Sequence, residues 1–156
     1  MRQQQQQTST PIVRRRRRSS RLPAGNALLD LAFILPILLG LTFGAVEYGY
    51  AVYVKHALQG AAREGARRAI IAGATATQVQ AAVDDSLQQA GFPQNKYTRP
   101  ATITPANWAT AASGTTVRVE VKATWSGIGV SVLPTVLGGI DPSKELKANT
   151  AMRKEG

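Results

Sequence analysis

One long apolar stretch constrains this chain of 156 residues more than any other feature. From Leu28 to Val46 the sequence runs for 19 residues with Asp30 as the one charged side chain. As an α-helix this stretch would rise about 28 Å, close to the roughly 30 Å hydrocarbon core of a bilayer. Three tyrosines follow it, as is typical where a helix leaves a membrane: Tyr48, Tyr50 and Tyr53. The pattern predicts a transmembrane helix over residues 26–54; a buried helix of a soluble core is the alternative.

The positive charge of the chain is concentrated ahead of that stretch. The formal net charge is +10, and residues 1–25 hold seven arginines and no acid, which leaves +3 for residues 26–156. Adjacent like charges and few apolar side chains predict a disordered leader over residues 1–25. Because basic residues beside a span stay in the cytoplasm, we expect a cytoplasmic leader and an extracytoplasmic carboxyl-terminal part. No aromatic residue interrupts the arginines and no recognition helix follows, so nucleic acid is not a predicted partner.

Composition excludes several kinds of active site. The chain has no cysteine, which removes disulfides, thiolate metal sites and cysteine nucleophiles. Its one histidine, His56, is expected to be an interfacial polar residue, and Asp84 and Asp85 are expected on the solvated face of a helix. No G-x-S-x-G, H-E-x-x-H or phosphate-binding loop is present. We therefore expect no enzymatic activity, no catalytic residue, no metal, no cofactor and no small-molecule substrate.

Helical spacing continues beyond the apolar stretch. Small and apolar residues recur at steps of three and four, which predicts that the first helix runs to about residue 71. These residues are Leu58, Ala61, Ala62, Gly65, Ala66, Ala69 and Ile70. Small side chains allow helices to approach closely, so Ala61, Gly65 and Ala69 are the predicted helix-packing residues.

The remaining sequence predicts that residues 55–156 form an extracytoplasmic α+β domain. A capping-box pattern from Thr77 to Gln80, followed by an apolar stripe, predicts a second helix over about residues 77–90. Strict alternation predicts a strand over residues 116–124, and weaker alternation predicts another over residues 145–153. The fold class is therefore α+β: a long amino-terminal helix, a second short helix and a small antiparallel sheet of two to four strands.

Two segments of that domain leave alternatives open. Residues 101–104 have the pattern of a further short strand. Residues 126–140 carry no charge, but their glycines and Pro134 argue against a second membrane span. This segment would serve as core cover, as an interfacial segment or as a subunit contact.

We expect different surroundings for the two acidic residues at the ends of the apolar stretch, Asp30 and Glu47. A carboxylate at the centre of a bilayer costs roughly 2.5–3.5 kcal/mol, and less near the edge. Asp30 is therefore expected either to have a partner or to lie among the headgroups. Glu47 is expected to reach the membrane interface.

The arrangement around the leader is similar to a known processing signal. The run from Arg14 to Arg21, then Gly25, then Asn26-Ala-Leu-Leu-Asp30 and the apolar stretch, resembles the class III signal of type IV pilin-like proteins. The resemblance implies cleavage by prepilin peptidase between Gly25 and Asn26. It also implies that Asp30 is the acidic residue that contacts a neighbouring subunit during assembly. This position is usually Glu, and here it is one methylene shorter.

Three stretches of the chain, two of them in the first helix, also resemble one family of pilus-assembly proteins, the TadE-like family. The similarity lies in Pro36–Gly49, in Ala57–Arg67 with its Ala-Arg-Glu-Gly-Ala-Arg segment, and in the ending from Leu146 to Arg153. It implies a minor pilin or pseudopilin of the bacterial cytoplasmic membrane, acting in assembly of a tight-adherence pilus and in surface attachment. The implied partners are other pilin-like subunits, the pilus assembly machinery, prepilin peptidase and the lipid bilayer. The alternatives are a generic bitopic membrane protein with an extracytoplasmic ligand- or protein-binding domain, and a membrane-anchored enzyme.

Overall fold

The computed structural model describes residues 24–135 and 138–155. Its elements are α1 (Ala24–Ala69), α2 (Ala76–Gln89), a short 3-10 helix (Gln94–Lys96), β1 (Thr102–Thr104), β2 (Thr116–Thr124), the one-turn helix α3 (Trp125–Ile128) and β3 (Glu145–Arg153). The predicted α+β class is confirmed. The leader predicted to be disordered lies outside the described residues up to residue 23, and Ala24 and Gly25 open the first helix.

Helix α1 is 46 residues long and contains Pro36. It ends at Ala69, two residues before the predicted end, because the hydrogen bonding tightens there. The Ile70 N–H still donates to Ala66 O at 3.2 Å, but the Ile71 N–H donates to Arg68 O, three residues back. Gly73 then turns the chain with a φ of +76°, which glycine adopts without strain.

Helix α2 begins one residue before its predicted start, and its capping box lies two residues earlier than predicted. Thr75 is the N-cap: its hydroxyl accepts from the Gln78 N–H, and the Gln78 side chain accepts from the Thr75 N–H. Both Thr75 and Thr77 precede a glutamine by three residues, so the pattern alone fits either position. With Thr75 as the cap, Gln80 is free to accept from the Ala101 N–H at 2.7 Å, which ties the start of the sheet region to α2.

The sheet has three antiparallel strands in the order β1-β2-β3. The central strand, β2, alternates as its sequence predicts. The four side chains on one of its faces are fully buried: Val117, Val119, Val121 and Ala123. Val117 pairs with Met152 on one edge strand, and Val119 pairs with Ile103 on the other. The segment over residues 101–104 therefore does contain the third strand.

The core lies where α1, α2 and this buried face of the sheet meet. Its closest approach is at Gly65, where an added Cβ would lie 2.7 Å from Val83 Cγ2 and 3.2 Å from Val119 Cγ1. Ala61 and Ala69, one turn to either side of Gly65, are also fully buried. Small residues on α1 are therefore required by the packing of the helix on its own domain.

We expect Gly65→Ala to destabilise the domain although alanine favours helices. The added methyl would crowd two β-branched side chains, which typically costs about 1–3 kcal/mol. Gly60→Ala is the matched control on the same helix, because an added Cβ there has no atom within 4 Å and alanine gains about 1 kcal/mol over glycine in a helix. Unfolding of the full chain in detergent, followed by the fluorescence of the buried Trp108 and Trp125, would measure both. Equal stability of the two variants would contradict the close approach.

Candidate functional site

The main unpartnered surface of the described residues is the amino-terminal part of α1. Every large apolar side chain from Leu28 to Val46 is exposed, from 42% at Phe43 to 74% at Phe33. Within residues 24–135 and 138–155, α1 is the one helix long and apolar enough to cross a membrane. A core helix of a soluble protein would bury these side chains, and this chain leaves them uncovered.

The residues of the predicted processing signal lie in the first turns of the same helix. Gly25 and Asn26 are the second and third residues of α1, and Asp30 follows one turn later with an exposed side chain. The backbone of all three is helical. The helix therefore places the Asp30 carboxylate just over one turn from the peptide bond that would be cut.

Glu47 marks the point at which α1 passes from exposed to covered. The sequence places this residue at the membrane interface, but its side chain is only 2% exposed. One carboxylate oxygen accepts from the Leu133 N–H at 3.1 Å, and the other accepts from the Ile140 N–H at 2.9 Å. Two backbone donors from the uncharged segment over residues 126–140 thus replace the water that the carboxylate would otherwise bind.

Two of the three tyrosines assigned to the membrane belt bind the domain instead. The Tyr50 hydroxyl donates to Ile128 O at 3.1 Å, and its ring lies edge-on to Trp125 with a centroid separation of 6.2 Å. The Tyr53 hydroxyl donates to Ala90 O at 2.8 Å. Tyr48 is 71% exposed, so it alone keeps the position expected of a belt residue.

A second buried carboxylate lies on α2, where the sequence predicts a solvated one. Asp84 is 5% exposed and accepts hydrogen bonds from the Tyr97 hydroxyl and the Gln80 amide, each at 2.6 Å, and from the Arg99 guanidinium. Burial, together with the hydrogen bond to Asp84, raises the pKa of Tyr97 above its ordinary value. Asp85 is exposed as predicted. The cluster joins α2 to the loop ahead of β1, and its groups are paired with one another.

Lys154 is a buried cation that sequence reasoning missed. Its amine donates to three backbone carbonyls, those of Trp108, Ala109 and Ala111, at 3.1, 2.7 and 2.9 Å. It thereby fastens the loop between β1 and β2 to the end of β3. No residue pattern signals this role, because the acceptors are main-chain groups 43–46 residues away.

The other predicted site residues do not form a reactive centre. Ala61, Gly65 and Ala69 are buried in the core of the same chain, and His56 is exposed. Among the described residues, no group of three or more histidine, aspartate or glutamate side chains is placed to hold a metal ion. The arrangement offers an apolar surface and paired structural charges.

We expect Asp84→Ala to lower the free energy of unfolding by about 3 kcal/mol, because it leaves buried hydrogen-bond donors and a cation without their acceptor. Asp85→Ala, which removes the exposed carboxylate next to it, should change stability by less than about 0.5 kcal/mol. Denaturant unfolding of the two full-length variants in detergent measures the difference. If Asp84→Ala were as stable as Asp85→Ala, the Asp84 cluster would not hold α2 to the loop.

Comparison with known proteins gives one match. Residues 25–67 match the family model described as TadE-like protein. No curated protein and no solved structure matches the chain. The matched segment begins at Gly25 and ends two residues before the end of α1, so it includes the exposed apolar part of the helix and most of its buried part. This match confirms the resemblance seen in the sequence over residues 25–67, and the resemblance noted from Leu146 to Arg153 lies outside it. Most of α1 is therefore similar to TadE-like proteins.

Proposed function

We propose that this protein is a single-pass minor pilin or pseudopilin that acts in assembly of a tight-adherence pilus and in surface attachment. One observation carries the proposal: the TadE-like match falls on a helix whose first part exposes an apolar surface and whose second part is built into a folded domain. That division is what a pilin-like subunit needs, because it must wait in a membrane while its domain remains outside.

In this proposal, the residues from Leu28 to Val46 span the bilayer. Their helical rise of about 28 Å suits the hydrocarbon core. The seven arginines of the leader would hold the amino terminus in the cytoplasm. The α+β domain would then lie on the extracytoplasmic side of the cytoplasmic membrane.

Prepilin peptidase would cut between Gly25 and Asn26. Cleavage would remove the basic leader and create a new amine on Asn26, and the chain that remains has a formal net charge of +3. The apolar helix would stay in place as the start of the mature protein.

The Asp30 carboxylate would pair with the Asn26 amine of a neighbouring subunit. A carboxylate within a bilayer helix is costly to leave alone, and an ion pair is less screened there than in water. Because Ala61, Gly65 and Ala69 are covered by the chain's own domain, we assign the contacts between subunits to the exposed part of α1.

Cleavage is tested by the intact mass of the membrane-extracted protein from cells that make prepilin peptidase. We expect loss of residues 1–25 from the parent chain, and retention of these residues in Gly25→Ala, because the peptidase requires the glycine. Gly40→Ala is the control: it makes the same change in the same helix, in open space, and should be cleaved like the parent. A parent chain that keeps its leader in these cells would rule out processing.

The Asp30 pair is tested by co-purification with other pilin-like subunits after cross-linking. Asp30→Asn removes the charge at nearly constant size and should lose the cross-linked partners, while Asp30→Glu should keep them. Intact mass and membrane fractionation of the same samples would report processing and insertion separately. Full recovery of partners by a processed and inserted Asp30→Asn would contradict the ion pair. A chain that never recovers partners would favour the generic membrane-anchored receptor.

A further inference from the structure

Residues 128–133 of the uncharged segment run along α1 toward its exposed apolar part. Ile128 O accepts from the Tyr50 hydroxyl, and the Leu133 N–H donates to Glu47. Farther down, an added Cβ at Gly44 would lie 3.6 Å from Leu133 Cδ1. From Tyr50 to Gly44 the segment thus follows about 9 Å of the helix. It reaches the last turn of the exposed apolar surface.

This segment presents apolar side chains at that level. No charged residue occurs from Ser126 to Ile140, and the next one along the chain is Asp141. Val130 is 46% exposed and Val132 is 37% exposed, so the descending stretch is not merely cover for the core. The apolar surface of α1 and that of the segment therefore meet beside Gly44.

The hydrogen bonds of Glu47 hold the segment at this level along α1. An unpaired carboxylate at the edge of a bilayer would favour water, but both of its oxygens are occupied by backbone N–H groups of the segment. A charged side chain is thereby withdrawn from the surface just above Val46, and the uncharged side chains of Val130, Ser131 and Val132 are exposed there. The hydrogen bonds also resist lifting of the segment, since lifting would leave a buried carboxylate without donors.

We propose that residues 130–133 insert into the extracytoplasmic face of the lipid bilayer, with Val130 and Val132 at the boundary between headgroups and acyl chains. The inference rests on the proposed membrane span. If Leu28 to Val46 cross the bilayer, the Leu133 side chain beside Gly44 lies two residues, or about 3 Å, inside its edge. Lipid is the favoured occupant because the surface continues the apolar surface of the span and has no charge that would select a protein partner.

The chain contains no cysteine, so single cysteines can each carry an environment-sensitive NBD fluorophore. Val132→Cys reports on the segment. Ile37→Cys, which is 67% exposed in the parent, reports on the centre of the span. Thr110→Cys is the control in the domain, because it lies near the end of α1 that is far from the span. The carbonyls of its neighbours Ala109 and Ala111 accept from Lys154. The next residue, Glu155, donates its N–H to Ile70 O just beyond α1.

Each labelled full-length chain is reconstituted into vesicles of phosphatidylethanolamine and phosphatidylglycerol that contain nitroxide-labelled lipid. We expect loss of emission at position 37 with nitroxides near the bilayer centre. We expect loss at position 132 with nitroxides placed at the boundary between headgroups and acyl chains, where interfacial segments lie. Emission at position 110 should be unchanged.

The Glu47 contact is tested in the same vesicles by a second substitution. Glu47→Gln keeps the size of the side chain but turns one acceptor into a donor that faces a backbone N–H. It should reduce quenching at position 132 and leave quenching at position 37 unaffected. Glu64→Gln, on the exposed side of the same helix, should change neither.

The outcomes separate this inference from the proposed function. Quenching at position 37 without quenching at position 132 would overturn the inference and leave the span intact. Quenching at position 132 alone would support lipid contact and contradict the span, and no quenching at either position would overturn both. Blue-shifted emission at position 132 that resists nitroxide lipid and disappears on dilution of the protein would assign the surface to a second copy, and would overturn lipid contact.

Discussion

The fold depends on one helix that has two different surroundings along its length. From Leu28 to Val46, the large apolar side chains of α1 are exposed; from Val54 on, the inward side chains are buried by the domain. Such a helix cannot be stabilised in water by its amphipathic face alone, because its first part has no polar side to present. The change of surroundings is concentrated in the turn that carries Glu47, whose hydrogen bonds to residues 133 and 140 close the domain against the helix.

The second half of α1 shows why residue size matters as much as hydrophobicity. Two elements, α2 and β2, approach the helix at Gly65, and their Val83 and Val119 side chains leave no room for a methyl group. The sequence displays this as a stripe of small residues, which fits packing against another helix in a membrane equally well. Periodicity identifies a contact face, but it does not identify what covers the face. In this protein, α2 and β2 of the same chain cover the small-residue face of α1.

Local patterns predicted most of the fold, and long-range polar contacts account for most of what they missed. Strand β2 begins and ends at the residues that its alternation indicates, because one face of an antiparallel strand is buried and the other solvated. The burial of Asp84 and Lys154 could not be predicted from sequence, since it depends on partners 13–46 residues away. For the candidate site, the apolar span and the TadE-like segment could be recognised from sequence. The burial of Glu47 could not, because its donors are backbone N–H groups 86 and 93 residues away.

The position of the end of β3 determines where a fluorescent reporter can be attached to image this protein in a cell. The Glu155 N–H donates to Ile70 O, so residue 155 lies beside the end of α1. Ile70 is 24 residues beyond Val46, or about 36 Å of helix. A fluorescent reporter joined there would stand well clear of the lipid and of residues 126–140. If the proposed cleavage after Gly25 occurs, a reporter at the amino terminus would be discarded with the leader.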